Sequence, residues 1–364
     1  MKSIVFFIGT LSSGGAEHQL SVLANFLSDI GYKVTIVTYG DSRDHYLLST
    51  RISRIRIGQG KGRVEKFIRI LSFFFRLKAD VVISFTQRSN LLAMIPLLFR
   101  PRIKKIMGER NLSKENGGCR EFILFNFLYF LSDFIVSNSY TQYDYIINSK
   151  PRLSSRLRVI PNYTDPDLFR PVNNQKSSQT VFRIGVLGRY SHQKNYSTFL
   201  KGVALSRTCS NRPFEVHWYG NIHLHGDLNP DYSSFISIVD RLNLNGCVFA
   251  HDHSKDVVTT INEFDAMCLP SLYEGFSNSL SEYICCAKPV IASDVSDNHL
   301  LVHDGINGFL FIPTDISSIS SAIVHLLSLS SEKIKEMGEN SRTIAVGLFN
   351  KDKFIHSYRV LIES

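Results

Sequence analysis

Two carboxylates eight residues apart, Glu274 and Glu282, stand in the segment Pro270-Ser271-Leu272-Tyr273-Glu274-Gly275-Phe276-Ser277-Asn278-Ser279-Leu280-Ser281-Glu282. The apolar run Ala266–Leu269 before it reads as a strand, and the segment runs on into a helix beginning near Ser277. A helix start with Ser277 and Asn278 available as caps, and Gly275 letting the backbone turn, makes a phosphate or sugar-hydroxyl site. In the loop, Glu274 can accept hydrogen bonds from sugar hydroxyls and face developing positive charge, while Glu282 in the helix can hold a ribose diol. Taken alone, Glu282 reads rather as an acid that complements the helix dipole.

A second segment, Gly188-Arg189-Tyr190-Ser191-His192-Gln193-Lys194-Asn195, directly follows the strand-like run Arg183–Leu187. Arg189 and Lys194 at the carboxyl end of a parallel strand can neutralise a diphosphate, though by itself the segment is equally a solvated basic loop. A third, Ser13-Gly14-Gly15-Ala16-Glu17-His18, lies between a strand and a helix, where glycines admit a ligand to the backbone and the helix start offers unpaired N–H groups. A plain tight turn explains it as well. It lacks the G-x-G-x-x-G spacing and acidic partner of a dinucleotide site, which counts against an NAD enzyme. The H-x-H pairs His223/His225 and His251/His253 have no evident third ligand, so they read as surface or cleft histidines and no metal is expected.

These segments must be positioned by a scaffold, and the apolar pattern supplies one. Strands are expected at Ile4–Ile8, Lys33–Tyr39, Arg54–Ile57, Val81–Phe85, Lys105–Met107 and Phe134–Ser137, with helices between most of them. The rhythm restarts with strands at Arg183–Leu187, Glu215–Tyr219, Cys247–Ala250, Ala266–Leu269, Pro289–Ala292 and Gly308–Phe311. Near-continuous apolar strands alternating with helices mean parallel sheets covered on both faces. The chain is therefore α/β, two doubly wound Rossmann-like domains facing a cleft that holds the ligand: 1–170, then 171–340, with a C-terminal helix in 341–364 packing back on the first. The join is expected in the polar stretch 173–180.

Composition narrows the function. With 364 residues, 44% hydrophobic and 20% charged, the chain is an ordinary folded protein of about two domains. Its six cysteines form no C-x-x-C pair, as in a reduced cytoplasmic protein. No apolar run reaches the ~18–20 residues of a spanning helix. Phe122–Leu131, interrupted by Asn126, reads as a core helix, and Ile4–Ile8 reads as a buried strand rather than as part of a signal peptide. Net charge is +9, but residues 1–165 hold 24 Lys+Arg against 12 Asp+Glu while residues 166–364 hold 17 against 20. Such a split is what a two-domain protein shows when only one domain faces an anionic partner.

In chain order, 13–18, then 188–195, then 270–282 with Glu274 and Glu282, these three segments resemble the retaining glycosyltransferases of family 4, which have the GT-B fold. The resemblance extends over nearly the whole chain through Ser137-Asn138-Ser139, Pro161-Asn162-x-x-Asp165, Lys288-Pro289-Val290-Ile291-Ala292 and Asn307-Gly308. It implies a donor site made of Gly15, Gly188, Arg189, Lys194, Ser271, Glu274, Gly275, Phe276, Ser277, Asn278 and Glu282. In it, Arg189 and Lys194 hold the donor diphosphate, Glu274 meets the sugar near the reacting carbon, and Glu282 holds the ribose. Glu274, Arg189 and Lys194 are the expected catalytic groups. Glu17, His18, Arg110 and Asn138 are expected on the acceptor side. The resemblance further implies transfer from a nucleotide sugar, UDP-linked in preference to GDP-linked, without cofactor or metal. Many relatives carry a His in the loop where this chain reads Gly108-Glu109-Arg110-Asn111. The Glu-Arg-Asn version resembles transferases that build bacterial polysaccharide repeat units (O-antigen or capsule-like) on a polyprenyl diphosphate, and it leaves the role of Arg110 open.

Between Arg51 and Lys78 stand nine Lys+Arg and one acid, Glu65, with Val64, Phe67, Ile68, Leu71, Phe74 and Phe75 at helical spacing. Such a segment either binds an anionic membrane surface or is a core helix with a solvated basic face. The membrane is preferred, giving a peripheral protein on the cytoplasmic face of the plasma membrane with a lipid-linked glycan acceptor. Nucleic acid is not expected, since no recognised binding motif is present. A nucleotide-sugar 2-epimerase of similar shape, or a non-catalytic transferase subunit, are the alternatives.

Overall fold

The computed structural model describes all residues except 13, 42, 43, 59, 111–127, 173–180 and 225. The chain divides into two compact units, one of Met1–Tyr163 with Lys351–Ser364 and one of Thr164–Asn350. The passages fall at 163/164 and 350/351, not at the expected 170/171 and 340/341. Arg342 explains the second difference: its guanidinium donates to the carbonyls of Pro166, Phe169 and Cys285, all in the second unit. The expected join at 173–180 lies outside the described residues, as does most of the helix expected at Phe122–Leu131.

In the first unit, β1 (Ser3–Ile8), β2 (Lys33–Thr38), β3 (Ser53–Arg56), β4 (Val81–Phe85), β5 (Lys104–Glu109), β6 (Phe134–Ser137) and β7 (Leu157–Val159) form one parallel sheet in the order β3-β2-β1-β4-β5-β6-β7. β1 lies inside the sheet between β2 and β4, and its run Ile4–Ile8 is buried throughout because helices cover both faces. The connecting helices are α1 (Gly15–Asp29), α2 (Arg63–Arg76), α3 (Gln87–Leu97) and α4 (Tyr140–Ser149).

The second unit repeats the plan. Strands β8 (Phe182–Leu187), β9 (Phe214–Tyr219), β12 (Val248–His251), β13 (Ala266–Leu269), β14 (Val290–Ser293) and β15 (Gly308–Phe311) run parallel in the order β12-β9-β8-β13-β14-β15. A short hairpin, β10 (His223–Leu224) with β11 (Asp227–Leu228), stands apart. The helices are α5 (Tyr196–Cys209), α6 (Pro230–Arg241), α7 (Val257–Asn262), α8 (Asn278–Cys285), α9 (Ile316–Ser328) and α10 (Ser331–Leu348). Trp218, the single tryptophan, is fully buried in a core with Tyr190, Phe199 and Phe235. Gly308 is dictated by sheet packing, because a Cβ there would collide with the carbonyl of Val290 on β14.

The stretch 341–364, expected as one helix, is divided between the end of α10 and α11 (Lys351–Glu363). α11 belongs to the first unit, where Phe354 packs on Tyr163 at 5.6 Å between ring centroids. Among the described residues no helix is long and apolar enough to cross a membrane.

Candidate active site

In a doubly wound sheet, ligands bind beyond the carboxyl ends of the strands where the strand order reverses. In the second unit that point lies between β8 and β13, which pair through Ile184 with Ala266. The loop after β8 is the basic segment 188–195 and the loop after β13 is the segment 270–277, so topology alone makes them neighbours. Backbone and side chain then lock them together: Leu272 N–H donates to Gln193 O at 2.8 Å and Gln193 Nε2 to Tyr273 O at 3.1 Å.

Lys194 and Glu274 meet inside this junction. Lys194 Nζ lies 2.6 Å from Glu274 Oε1, with both side chains largely shielded from solvent. Ser271 Oγ donates to the same oxygen at 2.7 Å. Gly188 leaves room for this approach: the methylenes of Lys194 lie 3.3–3.4 Å from where a Cβ at 188 would sit. Arg189 is exposed, touches Gln193 Oε1 at 3.3 Å, and has no carboxylate partner among the described residues.

α8 begins where the expectation placed it. Ser277 is its cap, its Oγ accepting the Leu280 N–H at 3.2 Å, and Phe276 is buried with its ring edge-on to Phe349. The loop residue Gly275 and the first helical residue Asn278 are half-buried beside them. Tyr283 ties the helix beneath β8, donating to Leu187 O and accepting from Leu187 N. Glu282 keeps some exposure, yet no described residue hydrogen-bonds its carboxylate. Desolvation pushes this acid up to about 8, with Lys194 pulling the other way. A shielded acceptor without donors is matched to hydroxyls supplied from outside. The helix-dipole reading of Glu282 fails on position, since it sits in the fifth residue of the helix, beyond the first turn.

One residue of this site went unnoticed in the sequence. Ser296, in the loop after β14 and at φ 50°, donates its hydroxyl to Glu274 O at 2.6 Å and accepts from Glu274 N at 3.4 Å. It fixes the backbone that carries the carboxylate. Its signal is topological, as β14 pairs with β13 and their loops leave the same sheet edge.

In the first unit, the four expected acceptor-side residues also follow the carboxyl ends of strands. Glu17 and His18 are in the first turn of α1 after β1, Arg110 follows β5, and Asn138 follows β6. The Glu17 carboxylate folds back over Gly14, onto the space a Cβ would take, so a side chain there would make Glu17 swing away. Gly15, expected at the donor, is the first residue of α1. His18 stacks on Tyr46 at 5.1 Å, and burial, then the neighbouring His45, hold its imidazole below the ordinary range.

Arg110 has a structural place. It is buried over the Phe85 ring at 4.0 Å and donates to Asn162 Oδ1 and to Tyr358 Oη on α11, both at 2.9 Å. Beside it, burial raises the Glu109 carboxyl to about 7, opposed by the Tyr129 hydroxyl, which donates at 2.9 Å. Asn138 presents a buried Oδ1 with no hydrogen-bond partner among the described residues, an acceptor still to be satisfied.

Among the described residues no three His, Cys, Asp or Glu side chains gather as a metal-ligand set. His251 instead bonds His217 at 3.0 Å, which bonds Glu215, while His253 is exposed beside Asp252. His223 is exposed on β10, and His225 lies outside the described residues.

Comparison with known proteins agrees with this architecture. Residues 13–168 match the family model Glycosyltransferase Family 4 and residues 170–344 match Glycosyl transferases group 1. A UDP-Gal:alpha-D-GlcNAc-diphosphoundecaprenol alpha-1,3-galactosyltransferase of Escherichia coli is 26% identical over 54% of this chain, a match spanning about half (51%) of that relative's length. An N-acetylgalactosamine-N,N'-diacetylbacillosaminyl-diphospho-undecaprenol 4-alpha-N-acetylgalactosaminyltransferase of Campylobacter jejuni is 20% identical over 97% of both chains. Among solved structures, Anabaena HepE in complex with UDP and glucose superposes with a TM-score of 0.85 at 19% identity, covering 100% of both chains. With two Rossmann-like units matched in sequence by both halves of the family, the chain belongs to the GT-B glycosyltransferases of family 4.

Proposed function

We propose that this glycosyltransferase moves a hexosyl or N-acetylhexosaminyl group, with retention at the anomeric carbon, from a UDP-sugar to a hydroxyl of a polyprenyl-diphosphate-linked glycan. Its place is bacterial surface-polysaccharide assembly (lipopolysaccharide O-antigen or capsule-like) on the cytoplasmic face of the plasma membrane. The observation that carries the reading is the Lys194–Glu274–Ser271 cluster at the switch point of the second unit, beside the unpartnered Glu282. The relatives support the acceptor class, since the E. coli and C. jejuni proteins are both named for action on diphosphoundecaprenol-linked sugars.

In this reaction the bond from the sugar anomeric carbon to the diphosphate oxygen breaks, and a bond to the acceptor oxygen forms on the same face. Charge grows on the leaving diphosphate, and Lys194, Arg189 and the N–H groups opening α8 stabilise it. Lys194 exchanges its bond to Glu274 for one to phosphate, which frees Glu274 to receive sugar hydroxyls and face the positive anomeric carbon. The acceptor proton passes to the departing phosphate oxygen, so no separate base is assigned. Glu282 holds the ribose. Incubation with a panel of nucleotide sugars and polyprenyl-diphosphate acceptors tests the reading. Lipid-linked product supports it, whereas a free rearranged sugar nucleotide indicates an epimerase.

A further inference from the structure

α2 carries more apolar surface than its packing uses. At 3.6 residues per turn, Ile70 and Phe74 point into the first unit and are buried, as is Leu77 just beyond the helix. Val64, Phe67, Ile68 and Phe75 fall on the neighbouring arc and are 74%, 45%, 58% and 49% exposed. Phe99, past the end of α3 and 69% exposed, extends the patch, its ring 5.9 Å from that of Phe75. Arg100 clamps the junction by donating to the carbonyls of Phe74, Phe75 and Leu77, so the patch stands on fixed helix ends.

The charges flank this patch on one side. Arg56, Arg69, Arg76 and Lys78 line a cavity of about 450 Å³ together with Ile57 and Phe73, and no acid lines it. Arg56 is paired with Asp44 and Arg69 with Glu65, each at 2.9 Å. Arg76 and Lys78 are exposed and have no carboxylate partner among the described residues. An apolar arc beside uncompensated cations fits an anionic bilayer, whose acyl boundary accepts the rings and whose headgroups accept the charge. Soluble phosphate would leave the apolar arc without a partner, and a second copy would bring like charge against like.

We propose that α2 and the end of α3 form a docking platform for an anionic phospholipid bilayer, with Phe67, Ile68, Phe75 and Phe99 entering the interface and the Arg76–Lys78 cavity taking a headgroup phosphate. This rests on the membrane-side reading of the proposed function and names the surface that accomplishes it.

Flotation of the full chain with vesicles tests it, comparing pure phosphatidylcholine with a mixture containing phosphatidylglycerol, at low salt. The wild type is expected to bind the mixture about tenfold or more better than phosphatidylcholine. The variants F67S/I68S/F75S and R76E/K78E should each lose about tenfold or more of that binding, with melting temperature and UDP affinity unchanged. The exposed Lys335→Glu on α10 should have no effect. Equal binding by the variants overturns the platform. So does displacement by millimolar inorganic phosphate, which marks a soluble-anion site, or a self-association of the wild type abolished in the triple variant. The vesicles carry neither donor nor acceptor, so a wild type that binds UDP yet stays off them overturns the platform and leaves the transferase reading standing.

Discussion

Glu282→Gln should make the second unit more stable while weakening its hold on the donor. Burial raises this acid from 4.5 to about 8 and no described group hydrogen-bonds it. At ~1.4 kcal/mol per pH unit, a rise of that size has a ceiling of about 5 kcal/mol. The side chain keeps some solvent contact, which screens the penalty and leaves about 2 kcal/mol. The sign follows from proton counts. Above about pH 4.5 the unfolded chain has lost this proton, while the folded chain keeps it up to about 8. Wild-type stability therefore falls as pH rises through that interval and levels off beyond it. The amide of the Glu282→Gln variant does not titrate, so its advantage should be near zero at about pH 4.5 and about 2 kcal/mol at about pH 8.5. Urea denaturation followed by tryptophan fluorescence isolates the unit, because Trp218 is the single tryptophan and lies in its core. The same variant should bind UDP about tenfold more weakly through lost ribose hydrogen bonds. A stability difference that is equal at about pH 5 and about pH 8.5 would rule out desolvation of the Glu282 carboxylate as its cause.

Other substitutions separate charge from positioning. Lys194→Ala removes the cation proposed to face the diphosphate and should slow transfer about 10²–10³-fold, as measured by kcat with saturating donor. Glu274→Ala should abolish transfer, and undiminished transfer by it would remove that residue's role. Ser296→Ala frees the Glu274 backbone and should lower kcat about tenfold with little change in donor affinity; equal losses in both would mean that Ser296 only stabilises the loop. Arg110→Met breaks the bonds to Asn162 and Tyr358 and should lower stability by about 3 kcal/mol in thermal or urea unfolding. Unchanged stability would return Arg110 to the acceptor.

The sheet strands were legible because parallel strands buried on both faces leave continuous apolar runs such as Val81–Phe85 and Ala266–Leu269, and those two are found at their expected limits. β7 was missed because Leu157–Val159 is an edge strand of three residues with an exposed Arg158 at its centre. The break at Phe349–Asn350 between α10 and α11 was also hidden, since the apolar spacing continues through it. At the site, residue type and strand-to-loop order announced Glu274, Lys194 and Glu282. They could not announce the direct Lys194–Glu274 bond, which depends on β8 and β13 being spatial neighbours though far apart in sequence. Ser296 was silent for the same reason. The motif left the role of Arg110 open, and its partners Asn162 and Tyr358 were hidden because they come from distant parts of the chain.

The proposal of retaining transfer by a site built on Lys194 and Glu274 is tested most directly by the anomeric coupling of the new linkage, read by proton NMR of the reaction between a UDP-α-sugar and a polyprenyl-diphosphate glycan acceptor. A lipid-linked α-glycoside is expected to form with the wild type and to fail to form with Glu274→Ala or Lys194→Ala. A β-linked product, or a free rearranged sugar nucleotide with the acceptor untouched, would overturn the assignment.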